Sequence, residues 1–239
     1  MLKLLSTANP KTQKSIKSGY LTFILHLAPS NVSGHNVCPK ATAGCIAACL
    51  NTAGRGGMFK AGETTNMIQK ARIRKTLMFV NNRVEFLDLL VTDITKAIRQ
   101  SAKLGLTPVF RLNGTSDLSW EKYKIAGKTI FELFPDIQFY DYTKVLNRKV
   151  TDIPNYHLTF SKADGNDLDV KKAIKQGLNV AVVFATKVLP VSYLGLTVFN
   201  GDDSDIRFRD PKTSIVGLYL KGKAANKKIA LASGFAVHI

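Results

Sequence analysis

The chain has 239 residues, 45% hydrophobic and 9% aromatic, which allows a sizeable core and excludes disorder along its length. Its 34 Lys and Arg against 17 Asp and Glu give +17, which predicts affinity for polyanions: nucleic acid, phosphate ligands or an acidic partner. No apolar run approaches the ~18–20 residues that span a bilayer, and Met1–Pro10 turns polar too soon for a signal peptide, so the sequence reads as a cytoplasmic protein with no membrane partner.

Residues 1–19 carry Lys3, Pro10, Lys11, Lys14 and Lys17 and read as a loosely held basic arm. Residues 20–239 then read as a single β/α domain. Gly19–Pro29 encloses a run of β-branched and aromatic residues, a strand signal. Residues 30–58 hold five glycines and all three cysteines, a loop too long to be a plain connection. Val84, Leu87, Val91, Ile94 and Ile98 step by three and four, which predicts a helix over 82–104 with Asn82 and Glu85 as a capping box and Gly105 as its stop. A strand over 107–112 and a helix over 119–134, ended by Pro135, follow. Strands are expected over 137–142, 156–160 and 179–184, with a short helix over 167–176 closed by Gly177. Two weaker strands lie near 196–199 and 214–218. This alternation predicts an α/β fold with parallel strands. A full or partial β/α (TIM-like) barrel is the first choice and a doubly wound open sheet the second.

The cysteines form Cys38-x6-Cys45-x3-Cys49. Cys45 and Cys49 are four apart, so on a helical turn they share a face. An odd number of clustered cysteines is no disulfide framework and points to a metal site; three inert buried thiols are the plain alternative. Zinc would need a histidine, His35 or His26, to complete Cys3His. A [4Fe–4S] cluster held by three cysteines keeps one iron open to an outside ligand or to a fourth protein ligand, for which His35 is the best placed. The iron–sulfur reading is preferred.

Several runs carry a resemblance: His26-Leu-Ala-Pro-Ser, Cys38-Pro, Cys49-Leu, Gly54-Arg-Gly, Ala71-Arg-Ile-Arg-Lys-Thr76, Arg111-Leu-Asn-Gly-Thr-Ser-Asp117, Phe139-Tyr-Asp-Tyr-Thr-Lys144 and Leu158-Thr-Phe-Ser161. Over residues 20–165 they resemble a phage-encoded family of gene 88 type, which implies a location in the host cell cytoplasm. More distantly, a cysteine loop after the first strand of a barrel is similar to radical S-adenosylmethionine enzymes, whose spacing is C-x3-C-x2-C. That likeness implies a barrel carrying a cluster, with S-adenosylmethionine as one candidate ligand of the open iron.

Ligands of β/α folds sit at the C-terminal strand ends. Here those ends carry His26; Arg111, Asn113, Ser116 and Asp117; Tyr142 and Lys144; Ser161 and Lys162; and Thr186 and Lys187. Parallel strands would gather them with the cysteines around one pocket. Asp202 and Asp205, in the segment 201–210, are weaker candidates, with Asp–Arg pairing the plainer reading. The basic run Lys60, Lys70, Arg72, Arg74, Lys75 and Arg83, with Lys221, Lys223, Lys227 and Lys228 near the C-terminus, reads as a solvated face or a backbone-directed nucleic-acid contact. Two functions follow: a cluster-dependent redox or radical-type enzyme acting on an anionic small molecule, or a basic protein binding nucleic acid or a host factor around a structural zinc. No Ser-His-Asp set or HExxH motif assigns a reaction.

Overall fold

The computed structural model describes residues 2–7, 14–52, 54–60 and 62–238, so Pro10 and Lys11 of the basic arm lie outside the described residues. The first residues are no free arm where they are described. Leu5–Ser6 (β1) pairs antiparallel with Tyr20–Leu25 (β2). Leu4 and Leu5 are buried, and the Leu4 N–H donates to Asp93 Oδ2 at 2.7 Å.

The cysteine loop carries one short helix, Ala43–Ala47 (α1), and leads to Met67–Asn81 (α2) and Arg83–Lys103 (α3). Asn82 joins these two helices. Its N–H is taken by Met78 O, and its side chain meets Glu85 Oε2 at 3.4 Å without capping a backbone N–H, so the expected capping box is not made. The buried face of α3 runs through Phe86, Leu87, Leu90, Ile94 and Ala97. Val84 is 77% exposed, because that face is turned from the expected one toward Phe86 and Leu90. Gly105 stops the helix at φ +63°, in the left-handed region that glycine enters without strain.

Thr107–Arg111 (β3) follows. The helix expected over 119–134 is absent. Trp120–Lys122 makes a single 3-10 turn, and Lys124–Ile125 (β4) and Lys128–Thr129 (β5) form a hairpin. Its two loop residues, Ala126 and Gly127, sit at φ +46° and +83°, the left-handed pair that a tight hairpin demands and a helix cannot contain. Only Ile130–Leu133 (α4) is helical there, capped by the reciprocal pair Thr129 and Glu132.

The rest alternates as expected: Gln138–Thr143 (β6), Tyr156–Ser161 (β7), Asp167–Lys175 (α5) and Val180–Phe184 (β8). Ser192–Tyr193 (β9), Leu196–Asn200 (β10), Ile215–Tyr219 (β11), Ala224–Ala232 (α6) and Ala236–Val237 (β12) complete it. The sheet order is β1-β2-β3-β6-β7-β8-β11-β10-β9, with β12 also beside β8. Pairs from β2 to β10 along this path are parallel; β1 and β9 are antiparallel edges. The fold is therefore mixed α/β around a mostly parallel sheet. Among the described residues no closed barrel forms, because β1 and β9 end the sheet instead of pairing with each other.

Alternation divides the two faces. Leu21, Phe23, Leu25, Phe110, Leu112, Phe139 and Leu158 join Phe86, Leu90 and Ile94 of α3 in the main core. Thr22, Arg111, Tyr140, Tyr142, His157 and Thr159 occupy the alternate positions. The 201–210 segment lies against this second face through Ile206 and Phe208, which pack with Val109, Tyr140 and Tyr20.

Candidate functional site

The cysteine loop is pinned to the sheet ends at both of its flanks. At the first, the Ser30 N–H donates to Cys38 Sγ at 3.3 Å, and the Asp117 N–H to Val37 O at 2.9 Å. At the second, Thr42 caps α1 and donates to Asp164 Oδ1, while the Gly44 N–H donates to Asp164 Oδ2 at 3.2 Å. Asp164 follows β7, so a strand end holds the helix that carries Cys45. A side chain at 44 has no room: a Cβ would stand 2.2 Å from Ser233 Oγ and 2.6 Å from Phe235 Cβ. Downstream of Cys49, Arg72 of α2 donates to Asn51 Oδ1 at 2.6 Å.

These anchors place Cys38, Cys45 and Cys49 on the wall of a pocket of about 270 Å³. Arg111, Asn113, Ser116, Asp117, Tyr142, Lys144 and Ser161 line the same pocket. The strand-end residues thus converge with the cysteines at the C-terminal ends of β3, β6 and β7. Leu218, Leu220, Val183 and Phe235 form an apolar wall.

Most of the polar groups are held by a fixed network. Asn113 Oδ1 accepts from Ser116 Oγ at 2.9 Å, the Leu118 N–H at 2.9 Å and Trp120 Nε1 at 3.1 Å. Its own N–H donates to Asp141 Oδ1 at 2.9 Å. Asp117 accepts from Thr143 Oγ1 and from the Lys144 N–H, each at 2.8 Å. Arg111 pairs with Asp205 at 2.9 Å and lies 5.1 Å over the Tyr142 ring. Tyr142 Oη is buried with no hydrogen-bond partner among the described residues.

Burial sets the proton affinities. Desolvation pushes the Cys38 thiol up to about 11, against the pull of the Ser30 N–H, and the neighbouring Cys49 and Cys45 push the same way. Cys49 is raised by burial and by Cys45, while the Asn51 N–H, Lys144 and Arg72 oppose the rise. The three sulfurs therefore sense one another. Burial disfavours the charge on Lys144, but Cys45 and Asp117 outweigh it and raise its proton affinity. Burial also pushes the Tyr142 phenol up to about 12, leaving a neutral donor inside the pocket.

Two expected members stand apart. His35 is exposed and does not line the pocket, because its loop turns outward before Cys38. His26 lies behind Gly114, whose added Cβ would come within 2.9 Å of the His26 ring. Burial and then Arg72, Arg111 and Lys75 lower His26 to about 3, so it is a neutral ring outside the pocket lining. Asp202 and Asp205 both line the pocket and both are paired, with Lys221 at 2.6 Å and with Arg111. Arg207–Asp210, at 3.2 Å, adds a further Asp–Arg pair in the same segment. Sequence reasoning missed Asp164 and Tyr219. Asp164 closes the β7 strand end, and its place before Gly165 was the available signal. Nothing in the local pattern marks Tyr219.

Of the basic run, Arg72 and Lys75 point inward, Lys75 donating to Leu4 O at 2.6 Å, and Arg83 stacks at 4.5 Å over Phe79. Lys60, Lys70 and Arg74 are exposed. Among the described residues no three His, Cys, Asp or Glu side chains are gathered closely enough to hold a metal ion, and no helix is long and apolar enough to cross a membrane.

The chain belongs to the phage gene product 88 family, whose model matches residues 3–238. No curated protein and no solved structure matches it. The likeness to radical S-adenosylmethionine barrels gains no support from these comparisons.

Proposed function

We propose that the strand-end pocket is the ligand site of an iron–sulfur protein. Cys38, Cys45 and Cys49 would hold a [4Fe–4S] cluster, and an anionic small molecule would bind beside it. One observation carries this reading: every cysteine of the chain, delivered by one doubly anchored loop, lines the same pocket as seven polar strand-end groups. A cluster with an open iron supplies a one-electron or Lewis-acid centre when bound. The residues around it would bind and orient the ligand: Lys144 as a half-buried cation, and the Tyr142 phenol as a neutral donor whose proton no group among the described residues takes.

The donor set suits a cube better than a single zinc. At about 2.3 Å from each sulfur, a tetrahedral zinc draws its thiolates to within about 4 Å of one another. A cube places each cysteine on a separate iron and accepts wider spacing. The histidine that Cys3His zinc requires is not in the pocket lining. A partial β/α barrel remains a way to describe the parallel strands, with the cluster loop after the first of them. Enzymatic turnover, redox or radical in type, is the further step that an open iron beside a ligand would permit.

The test is anaerobic reconstitution with iron and sulfide. A brown protein carrying the iron and sulfide of one cube, lost in each of Cys38→Ser, Cys45→Ser and Cys49→Ser but kept in His35→Ala, is expected. A colourless protein that retains zinc and shifts DNA would instead favour the nucleic-acid reading, with the charge of +17 as its basis.

A further inference from the structure

The pocket adjoins a second chamber of about 340 Å³, with which it shares the lining residues Asp202, Tyr219 and Lys221. Three lysines from distant parts of the chain line that chamber: Lys14, Lys187 and Lys221. A fourth, Lys227 of α6, lies against the same Tyr219. Among the described residues, Asp202 is the one carboxylate in the chamber's lining.

The arrangement is held from below. Asp202 Oδ2 accepts from the Tyr219 N–H at 2.9 Å, its Oδ1 pairs with Lys221 at 2.6 Å, and its carbonyl accepts from Lys14 Nζ at 2.8 Å. Asn200 Oδ1 accepts from the Asp202 N–H at 3.0 Å and fixes the turn. Lys187 Nζ and Lys227 Nζ lie 5.8 and 5.0 Å over the Tyr219 ring, and Lys227 also donates to Tyr219 Oη at 3.3 Å. One carboxylate therefore faces three ammonium groups in the chamber wall, with a fourth beside it. Lysine ammonium groups are mobile point charges, a set that suits a multiply charged phosphate oxygen cluster more than a single carboxylate. The cations line a concavity next to the pocket instead of forming a stripe along a surface, which favours a small phosphate ester over a nucleic-acid backbone.

We infer that the pocket's ligand is a phosphorylated small molecule: its phosphoryl group sits in the outer chamber among Lys14, Lys187 and Lys221, and its body passes Tyr219 toward the cysteines. The inference rests on the reading of the inner pocket as a ligand site, but not on the presence of the cluster. It adds the chemical class of the ligand and the end by which it is held.

The experiment measures binding of inorganic pyrophosphate and of ATP to the full chain by calorimetry, with and without reconstituted iron. The comparison uses the parent, Lys187→Ala/Lys221→Ala, Lys187→Glu, and Lys70→Ala/Arg74→Ala. Losing charge-assisted contacts should weaken pyrophosphate by about tenfold or more in the first double variant. Lys187→Glu, which removes the same two units of charge at one position, should weaken it comparably, and Lys70→Ala/Arg74→Ala should leave it unchanged. All four substituted positions are exposed, so unchanged melting temperatures certify the fold. Equal weakening in both double variants, or none in either, overturns the inference. So does an oligonucleotide that loses affinity with Lys187 and Lys221 while pyrophosphate does not compete with it. Pyrophosphate held through these lysines by a protein that takes up no iron would sustain the inference and remove the cluster. Iron uptake without such binding would do the reverse.

Discussion

Replacing Gly44 by alanine tests how the cysteine loop is seated. The new methyl would stand 2.2 Å from Ser233 Oγ, 2.6 Å from Phe235 Cβ and 2.8 Å from Asp164 Oδ1. Carbon contacts prefer about 3.5–4 Å, so α1 must retreat by on the order of 1 Å. Overpacking of this kind costs about 1–3 kcal/mol. The retreat also stretches two hydrogen bonds to the Asp164 carboxylate, from the Gly44 N–H and from Thr42. Bonds to a charged group are worth about 1.5–3 kcal/mol each when fully made, and Asp164 is only part-buried, so about 3–5 kcal/mol in all is expected. Denaturant unfolding measures the loss, and the labelling rate of the thiols reports the loop separately. Gly34→Ala is the control: nothing lies within 4 Å of its Cβ, so only the left-handed strain at φ +84° remains, about 1–2 kcal/mol. Ser233→Ala in the Gly44→Ala background should recover part of the loss by removing the shortest contact. A Gly44→Ala protein within about 0.5 kcal/mol of the parent, with unchanged thiol labelling, would refute the seating of α1 against Asp164 and Phe235.

Asn113→Ala strands the buried Trp120 and Leu118 N–H groups and should cost about 2–5 kcal/mol in denaturant unfolding, with tryptophan fluorescence changing in the native state. Asp205→Asn leaves Arg111 as a buried, uncompensated charge and should cost about 3–5 kcal/mol, whereas Arg111→Met/Asp205→Leu should cost less than the two single changes together. Burial pushes the Asp141 carboxyl up to about 7 from 3.8, against the opposing pull of Arg111 and the Asn113 N–H. The folded protein then keeps a proton that the unfolded chain has released, so this contribution is complete below about pH 4 and is lost as pH rises through 7. The loss is up to about 4 kcal/mol, and Asp141→Asn should flatten that slope in stability measured against pH.

The parallel strands were legible because runs such as Val180–Phe184 and Phe139–Tyr142 stand between Gly or Pro punctuation, and that punctuation survives folding. The segment 119–134 was misread for a physical reason. Tyr123, Ile130 and Phe131 all face the core, and their spacing mimics a helix that the Ala126-Gly127 turn in fact breaks. Helix α2 shows no clean apolar face in the sequence, because Arg72 and Lys75, which look like solvated charges, turn inward to bond Asn51 and Leu4. Whether the sheet closes depends on the pairing of its edge strands, and the two-residue strands β1 and β9 leave no periodic signal. The inner pocket was readable from topology alone, since parallel strands deliver successive C-terminal ends to one rim. The outer chamber was not, because it joins residues 14, 187 and 221, whose proximity only the folded chain creates.

This difference bears on what the charge of +17 means. Arg111 and Arg148 are each matched to a carboxylate inside the protein, Arg111 to Asp205 and Arg148 to Glu121, and Arg207 pairs with Asp210. Arg72 and Lys75 are occupied by backbone and amide oxygens. Such cations fix the fold and offer little to a polyanion in solution, so net charge overstates the attraction of the surface for nucleic acid. The lysines around Tyr219 are partnered too, Lys14 by the Asp202 carbonyl and Lys221 by its carboxylate, but Lys14, Lys187 and Lys221 are exposed and line a cavity beside the cysteine pocket. The physical consequence of gathering three ammonium groups around one concavity is a local positive potential beside the cysteine pocket, which draws an anionic ligand to that end of it.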